Sequence, residues 1–143
     1  MAMTDLAKHS GSEAVSLSAI AERQQLSIAY LEQIFAQLRR AGLVESIRGR
    51  NGGYKLGREA TGISIAEIMI AVDERTRMTR CQDLFGDVEG CLGQSKCLTH
   101  SLWHALGDHI REFLNRVTLQ EVVNGSPIAA GPIPLMTGTV AAE

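Results

Sequence analysis

The amino-acid sequence predicts a mainly α-helical protein in which two helices joined by a tight turn are followed by a β-hairpin and one long helix. A short and then a longer amphipathic segment flank Gln25 and Leu26, which is the order of a helix-turn-helix. An Asn-Gly-Gly tip at residues 51–53 lies between two short β-type segments. Apolar side chains then recur at helical spacing over residues 98–117. The fold class we predict is a winged helix-turn-helix domain with a small hairpin wing, plus a long helix.

Local signals predict the first three helices. Residues 1–8 have an apolar rhythm without an N-cap, and Gly11 is a typical helix stop. Serines at residues 16 and 18 are candidate caps for a helix over residues 16–24. Ser27 is positioned to cap the next helix, which Gly42 ends. Spacings of three and four predict one buried stripe on that helix: Ile28, Leu31, Ile34, Phe35, Leu38 and Ala41.

The hairpin and a fourth helix follow. Residues 43–48 alternate between apolar and polar side chains, and residues 54–56 return after the glycine-rich tip, so the pattern predicts a β-hairpin. A basic hairpin directly after a helix-turn-helix is typical of a wing. Ser64 and Glu67 have the spacing of a capping box before an apolar helix that ends near Val72.

The charge distribution is uneven although the formal net charge is only −2. Residues 27–58 carry six Lys or Arg against two Glu, whereas residues 63–143 carry six Lys or Arg against ten Asp or Glu. A basic segment followed by an acidic one fits a module that faces phosphates, and chance clustering on a solvated face explains the charges equally well.

A winged helix-turn-helix would bind double-stranded DNA at a promoter operator, with residues 27–41 as recognition helix. Its N-terminal turns supply the candidate base readers Ser27, Ala29, Tyr30, Glu32 and Gln33. Glutamine pairs well with adenine and glutamate accepts from cytosine, although Glu32 and Gln33 are nearly as well explained as ordinary exposed residues. Arg48 and Arg50 would reach phosphates or the minor groove, and glycines such as Gly53 would let the tip approach the duplex.

The three cysteines, Cys81, Cys91 and Cys97, fall within seventeen residues of a glycine-rich segment that we predict to be a loop, residues 81–97. This pattern argues against a disulfide framework and indicates metal or redox chemistry. His100 follows Cys97 closely enough to join it at the head of the long helix, although idle helix-surface histidines are common and His104 and His109 are interpreted as bystanders. Such a set suits zinc or an iron–sulphur cluster, and the wide spacing disfavours the usual zinc knuckle.

The rest of the chain sets its organisation. The apolar stripe of the long helix favours pairing with a second copy in a homodimer, and folding back on its own domain is the alternative. We predict a DNA-binding domain at residues 1–74, a loop and dimerisation helix at 75–124, with a last helical turn at 118–123, and a disordered tail at 125–143, which holds all three prolines. No signal peptide or long apolar run is present, so we expect a cytoplasmic protein without a membrane partner.

Over residues 3–124 the sequence resembles the IscR-type iron–sulphur cluster regulators, a family of dimeric winged-helix repressors. The segments that carry the resemblance are LSIAYLEQIFAQLRRAGLVESIRGRNGGYKLG at residues 26–57, AVDE at 71–74, TRCQ at 79–82 and CLTHSLW at 97–103. The resemblance implies a 2Fe–2S cluster on Cys81, Cys91, Cys97 and His100. It also implies a helix that pairs two subunits, cluster delivery by the cluster-assembly machinery, and control of cluster-assembly genes.

Two features depart from that family. The gap between Cys81 and Cys91 is lengthened by residues 83–89, which puts the cluster's stability and solvent access in question. The family also begins with a further stretch of about a dozen residues that is basic in character and completes the first helix. We therefore expect that this sequence starts inside that helix, through a start codon set too far downstream or a truncation, and that DNA affinity and folding suffer if the truncation is real.

Three other functions stay open. The first is a repressor of the same architecture that responds to nitric oxide or iron through a cluster without the histidine ligand. A second is an electron-transfer or cluster-carrier protein, against which the basic wing counts. An enzyme is the weakest alternative, because no paired carboxylates and no nucleophile–base arrangement stand out.

Overall fold

The computed structural model describes residues 1–11, 13–72, 77–79, 82–83 and 98–125. These contain α1 (Ala2–His9), α2 (Leu17–Gln24), α3 (Ile28–Arg40), β1 (Val44–Ile47), β2 (Gly53–Leu56), a 3-10 turn (Ala60–Gly62), α4 (Ile65–Ala71), β3 (Arg77–Thr79), β4 (Gln82–Asp83), α5 (His100–Arg116) and α6 (Leu119–Asn124). This order confirms the predicted mainly helical fold with its hairpin. None of the helices in the described part of the chain is both long and apolar enough to cross a lipid bilayer.

Side-chain caps start the helices where the sequence predicts them. Ser16 and Ser27 each accept a hydrogen bond from the backbone N–H three residues further on, and both distances are 3.2 Å. The Glu67 N–H donates to Ser64 Oγ at 3.2 Å, and the Ser64 N–H donates to Glu67 Oε2 at 2.9 Å. The predicted caps at Ser16 and Ser27 and the capping box are therefore confirmed.

One hydrophobic core joins the helices to the base of the hairpin. Its largest fully buried side chains are Phe35, Leu6, Ile20, Leu31, Leu38, Ile63, Leu119 and Val44. The predicted stripe on α3 is wrong at its two ends, because Ile28 is 49% exposed and Ala41 is also exposed. Both lie at the ends of the apolar face, whereas Leu31, Phe35 and Leu38 in its middle are fully buried.

The wing is an antiparallel hairpin attached to the core. β1 pairs with β2 in the register Val44↔Leu56 to Ile47↔Gly53. Val15 adds a third strand-like contact, since its N–H donates to Tyr54 O at 2.9 Å and its carbonyl oxygen accepts the Tyr54 N–H at 2.8 Å. The Tyr54 ring also meets Phe35 edge to face, with centroids 4.9 Å apart. These contacts fix the wing relative to α3.

The C-terminal helices return to the same core. The Ile65 N–H donates to Val117 O at 2.9 Å, and the Leu119 N–H donates to Ile63 O at 2.8 Å. This backbone bridge places the start of α4 beside the start of α6, which begins with its own capping box and packs against α1. Val117 and Leu119, which we assign by sequence to the second domain, are thus buried in the core of the first.

The predicted loop at residues 81–97 is wrong at 82–83, because β4 pairs there with β3 in an antiparallel ladder with an irregular register. The sequence offered little warning, since two- and three-residue strands are too short to show alternation. Cys81, Cys91 and Cys97 lie outside the described residues, as does the predicted tail from residue 126.

Candidate DNA-binding surface and metal ligands

A tight turn sets α3 against α2. Gln25 adopts a left-handed backbone conformation with φ of 54°, which reverses the chain directly after α2. The Leu26 N–H then donates to Ala21 O at 3.1 Å, and the Leu26 side chain packs against the core. Ser27 caps α3 immediately afterwards. The turn is therefore held by backbone and side-chain contacts on both sides.

The predicted base readers lie on the open side of α3. All five are exposed: Ser27, Ala29, Tyr30, Glu32 and Gln33. The opposite side carries Leu31, Phe35 and Leu38, each with 0% exposure, so the core fixes which side faces outward. Because this surface offers hydroxyl, amide and carboxylate groups, it has the hydrogen-bonding capacity that reading base edges requires.

The wing presents two arginines to solvent beside this helix. Arg48 and Arg50 are both exposed and flank Gly49, whose φ of +126° is a conformation that side chains rarely adopt. In the described part of the chain the wing tip is thus a glycine-dependent turn with cations on either side. Such groups are suited to phosphate oxygens or a narrow minor groove.

The structure gives a reason for glycine at position 53 that differs from the predicted close approach of the wing tip to DNA. A Cβ at this position would lie 2.4 Å from the carbonyl oxygen of Val15, so the backbone of the neighbouring segment occupies the space. Glycine at 53 is needed for packing inside the domain, whether or not the tip approaches DNA.

Arg39 connects the end of α3 to the wing. Its Nη1 donates to Ser46 Oγ on β1 at 3.3 Å. This contact lies at the end of α3 opposite the N-terminal turns that carry the candidate base readers.

Sequence reasoning missed a buried carboxylate, that of Asp5 on α1, and its hydrogen-bond donors on α2. Asp5 is only 6% exposed, and its carboxylate accepts hydrogen bonds from Arg23 and Gln24. The Arg23 hydrogen bonds hold the pKa of Asp5 below its usual value against the opposing effect of burial. His9 Nδ1 lies 2.8 Å from Asp5 O and 3.5 Å from Oδ1. No local motif announces a contact across 18 residues.

Of the four predicted metal ligands, the structure places one. His100 is the first residue of α5 and is half-buried, and its ring centroid lies 5.7 Å from that of His104. His104 Nδ1 in turn lies 3.5 Å from Asp108 Oδ2. Among the described residues no three His, Cys, Asp or Glu side chains converge as a metal site. An accessible imidazole at a helix start is chemically suited to iron, and the thiolates would have to come from the three cysteines.

The long helix α5 leaves apolar side chains uncovered. Leu98, Leu102 and Phe113 are 103%, 60% and 42% exposed, and Trp103 and Leu106 are each 36% exposed. Gly107 and Val117 are buried, and α5 packs against α4, while Phe113 stays exposed near the C-terminal end. The alternative in which the helix folds back on its own domain therefore describes one side of α5, and the side with Leu102, Leu106 and Phe113 is left open.

Comparison with known proteins agrees with this architecture. Residues 1–125 match the Rrf2 family, described as an iron-dependent transcriptional regulator. The HTH-type transcriptional regulator IscR of Yersinia pseudotuberculosis is 49% identical over 127 residues, which cover 89% of this chain and 75% of that protein.

Solved structures agree as well. IscR of T. potens is 39% identical with a TM-score of 0.68, covering 91% of this chain and 83% of that one. CymR, the global cysteine regulator of B. subtilis, is 33% identical with a TM-score of 0.70, covering 87% and 89%. The match spans the helix-turn-helix, the wing and the long helix, and we conclude that this chain belongs to the Rrf2 family and is a DNA-binding transcriptional regulator of the IscR type.

Proposed function

We propose that the chain acts as a homodimer whose DNA binding responds to a 2Fe–2S cluster, and that it regulates cluster-assembly genes. The observation that carries the DNA-binding part is that two exposed arginines lie on a wing whose Tyr54 packs against Phe35 of α3. The open side of α3 and the wing tip thus belong to one packed unit, which can meet a groove and its flanking phosphates together.

Salt-dependent binding tests the wing. Arg48→Ala combined with Arg50→Ala removes two cations from each chain and four from the dimer, so the magnitude of the slope of log K against log salt for the dimer should fall by about four. Arg111→Ala, on the side of α5 opposite Leu102, is the matched control and should leave the slope close to the wild-type value. An unchanged slope in the double variant would remove the wing from the interface.

The exposed face of α5 supports the dimer. An isolated chain would leave Leu102 and Leu106 in water, and a second α5 is the natural cover for such a stripe. Leu106→Glu should shift the protein towards monomer in sedimentation equilibrium, because a carboxylate would be buried at the contact. Asn115→Glu places the same charge on the other side of α5 and should leave the dimer intact. A Leu106→Glu protein that stays dimeric would refute this pairing.

Cys81, Cys91, Cys97 and His100 are the residues that would hold the cluster. When bound, the cluster supplies a redox-active and labile group whose presence can report cellular iron–sulphur status. His100 contributes an imidazole oriented by the first turn of α5, and the cluster-assembly machinery is the proposed source of the cluster. The resemblance to IscR proteins over most of the chain supports this ligand set.

Anaerobic purification tests the cofactor. The proposal expects visible absorbance with about two irons and two sulphides per chain. His100→Ala should alter the visible spectrum and accelerate cluster loss, whereas His109→Ala should not. A colourless zinc-loaded protein would contradict the cluster, and a spectrum insensitive to His100→Ala would favour the nitric-oxide- or iron-responsive alternative.

A further inference from the structure

The carboxylate of Asp5 is held by a fork of donors. Arg23 Nε lies 3.1 Å from Oδ1 and 3.0 Å from Oδ2, while Arg23 Nη2 lies 2.6 Å from Oδ1. Gln24 Nε2 completes the set at 2.9 Å from Oδ2. The Asp5 side chain is 3% exposed and that of Arg23 is 35% exposed, so the carboxylate is the buried partner. Such two-pronged contacts constrain direction as well as distance.

The two side chains that hold Asp5 lie next to the turn of the helix-turn-helix. Arg23 and Gln24 are the last two residues of α2, and Gln25 begins the left-handed turn that leads into α3. The Asp5 carboxylate on α1 therefore binds the end of α2 directly before the turn into α3. A displacement of this point would move Ser27 and the exposed side of α3 relative to the wing, which is attached elsewhere through Val15.

We propose that Asp5 is a positioning residue for operator recognition, acting through Arg23 and Gln24 to set the pose of α3. The proposal rests on α3 being the reading helix, as argued above. α1 and α2 are also in contact, and Leu6 on α1 and Ile20 on α2 are both fully buried in the same hydrophobic core. A buried ion pair adds little to stability beyond well-packed apolar side chains, but it selects one orientation of the two helices.

The distinguishing measurement is the ratio of specific to non-specific affinity. Asp5→Asn is nearly isosteric but accepts fewer hydrogen bonds from Arg23. If the pose of α3 changes, base contacts are lost while phosphate contacts survive. If Asp5 merely stabilises the fold, the folded fraction falls and both affinities drop by the same factor.

The probes are a duplex selected by the wild-type protein from a randomised library and a scrambled duplex of the same composition. Asp5→Asn should lower the affinity ratio by about ten- to a hundredfold, the loss expected for one or two base contacts. Affinity for the scrambled duplex should stay within about twofold, and its salt slope should not change. Arg23→Lys, which keeps the charge without the fork, should fall between wild type and Asp5→Asn. Glu13→Gln, at an exposed carboxylate, is the matched control and should behave as wild type.

A combined Tyr30→Ala and Gln33→Ala variant tests whether α3 is the reading helix, separately from the positioning role of Asp5. If this variant loses discrimination and Asp5→Asn keeps it, the positioning role is wrong and the reading helix stands. If neither variant loses discrimination, α3 is not the reading helix and both proposals fail. Equal losses on the two duplexes in Asp5→Asn, at matched folded fraction, would also overturn the positioning role.

Discussion

Replacing Gly53 with alanine would place a methyl group inside the contact between the wing and the segment that precedes α2. The added Cβ would lie 2.4 Å from Val15 O and 2.5 Å from the Val15 carbonyl carbon. Both are backbone atoms, so rotation of a side chain cannot relieve the overlap. Relief requires the two strands to separate, which lengthens the Val15–Tyr54 hydrogen bonds of 2.9 and 2.8 Å.

The expected cost follows from those contacts. Each backbone hydrogen bond contributes about 1 kcal/mol net. The edge-to-face contact of Tyr54 with Phe35 adds about 1 kcal/mol, and it weakens if the hairpin shifts. Gly53→Ala should therefore lower the free energy of unfolding by about 3 kcal/mol.

Urea denaturation followed by far-ultraviolet circular dichroism, at one protein concentration, measures this cost. Gly62→Ala is the matched control, because no heavy atom lies within 4 Å of its added Cβ and its φ is outside the left-handed region. It should stay within about 0.5 kcal/mol of wild type. Equal stability of the two variants would refute the packing argument. If Gly53→Ala then weakened DNA binding alone, clearance for the duplex would be the better explanation of this glycine.

Three further effects follow from buried or capping groups. Because Arg23 lowers the pKa of Asp5, the stability that this carboxylate contributes is full only well above its unfolded pKa of 3.8, and it is lost as the pH falls through that value towards the folded pKa. Unfolding free energies measured below about pH 5 should therefore decline less in Asp5→Asn than in wild type. Leu119→Ala should lower the free energy of unfolding measured in urea by about 2–5 kcal/mol, because Leu119 is fully buried. A loss below about 1 kcal/mol would contradict the packing of α6 into the core. Thr118→Ala should cost about 1 kcal/mol through the lost capping box, while the exposed Thr61→Ala should be neutral, and equal effects would contradict the capping argument.

Local rules were sufficient to predict most of the helix starts and the wing. Ser27 needs only its own backbone conformation and the N–H three residues on, so its role is readable from neighbouring residues. The hairpin is likewise set by a glycine-rich tip between two alternating segments. The exposed residues of α3 could be listed in advance for the same reason, since helical periodicity separates the two sides of one helix.

Contacts between distant segments could not be predicted in this way. Asp5 meets Arg23 across two helices, and nothing near Asp5 distinguishes it from a solvated carboxylate. Ile28 has the spacing of a core residue and is nevertheless 49% exposed, because periodicity identifies a side of a helix but not how far the covering helices extend. The bridge between residues 63–65 and 117–119 joins segments more than 50 residues apart, and only the tertiary fold brings them together.

This bridge limits how a cluster near His100 would influence DNA binding. α5 has 17 residues, so its anchored end at Val117 lies about 25 Å from its start. The described contacts hold that end against α4 and the core, while Leu98, just before the helix, and Leu102, in its first turn, are exposed. A structural change at His100 should therefore affect the exposed face of α5 more than the core of the helix-turn-helix. The proposed cluster should accordingly change the dimer dissociation constant more than the hydrogen-exchange protection of α3 within a stable dimer, and equal dimer affinities with and without the cluster would place the coupling elsewhere.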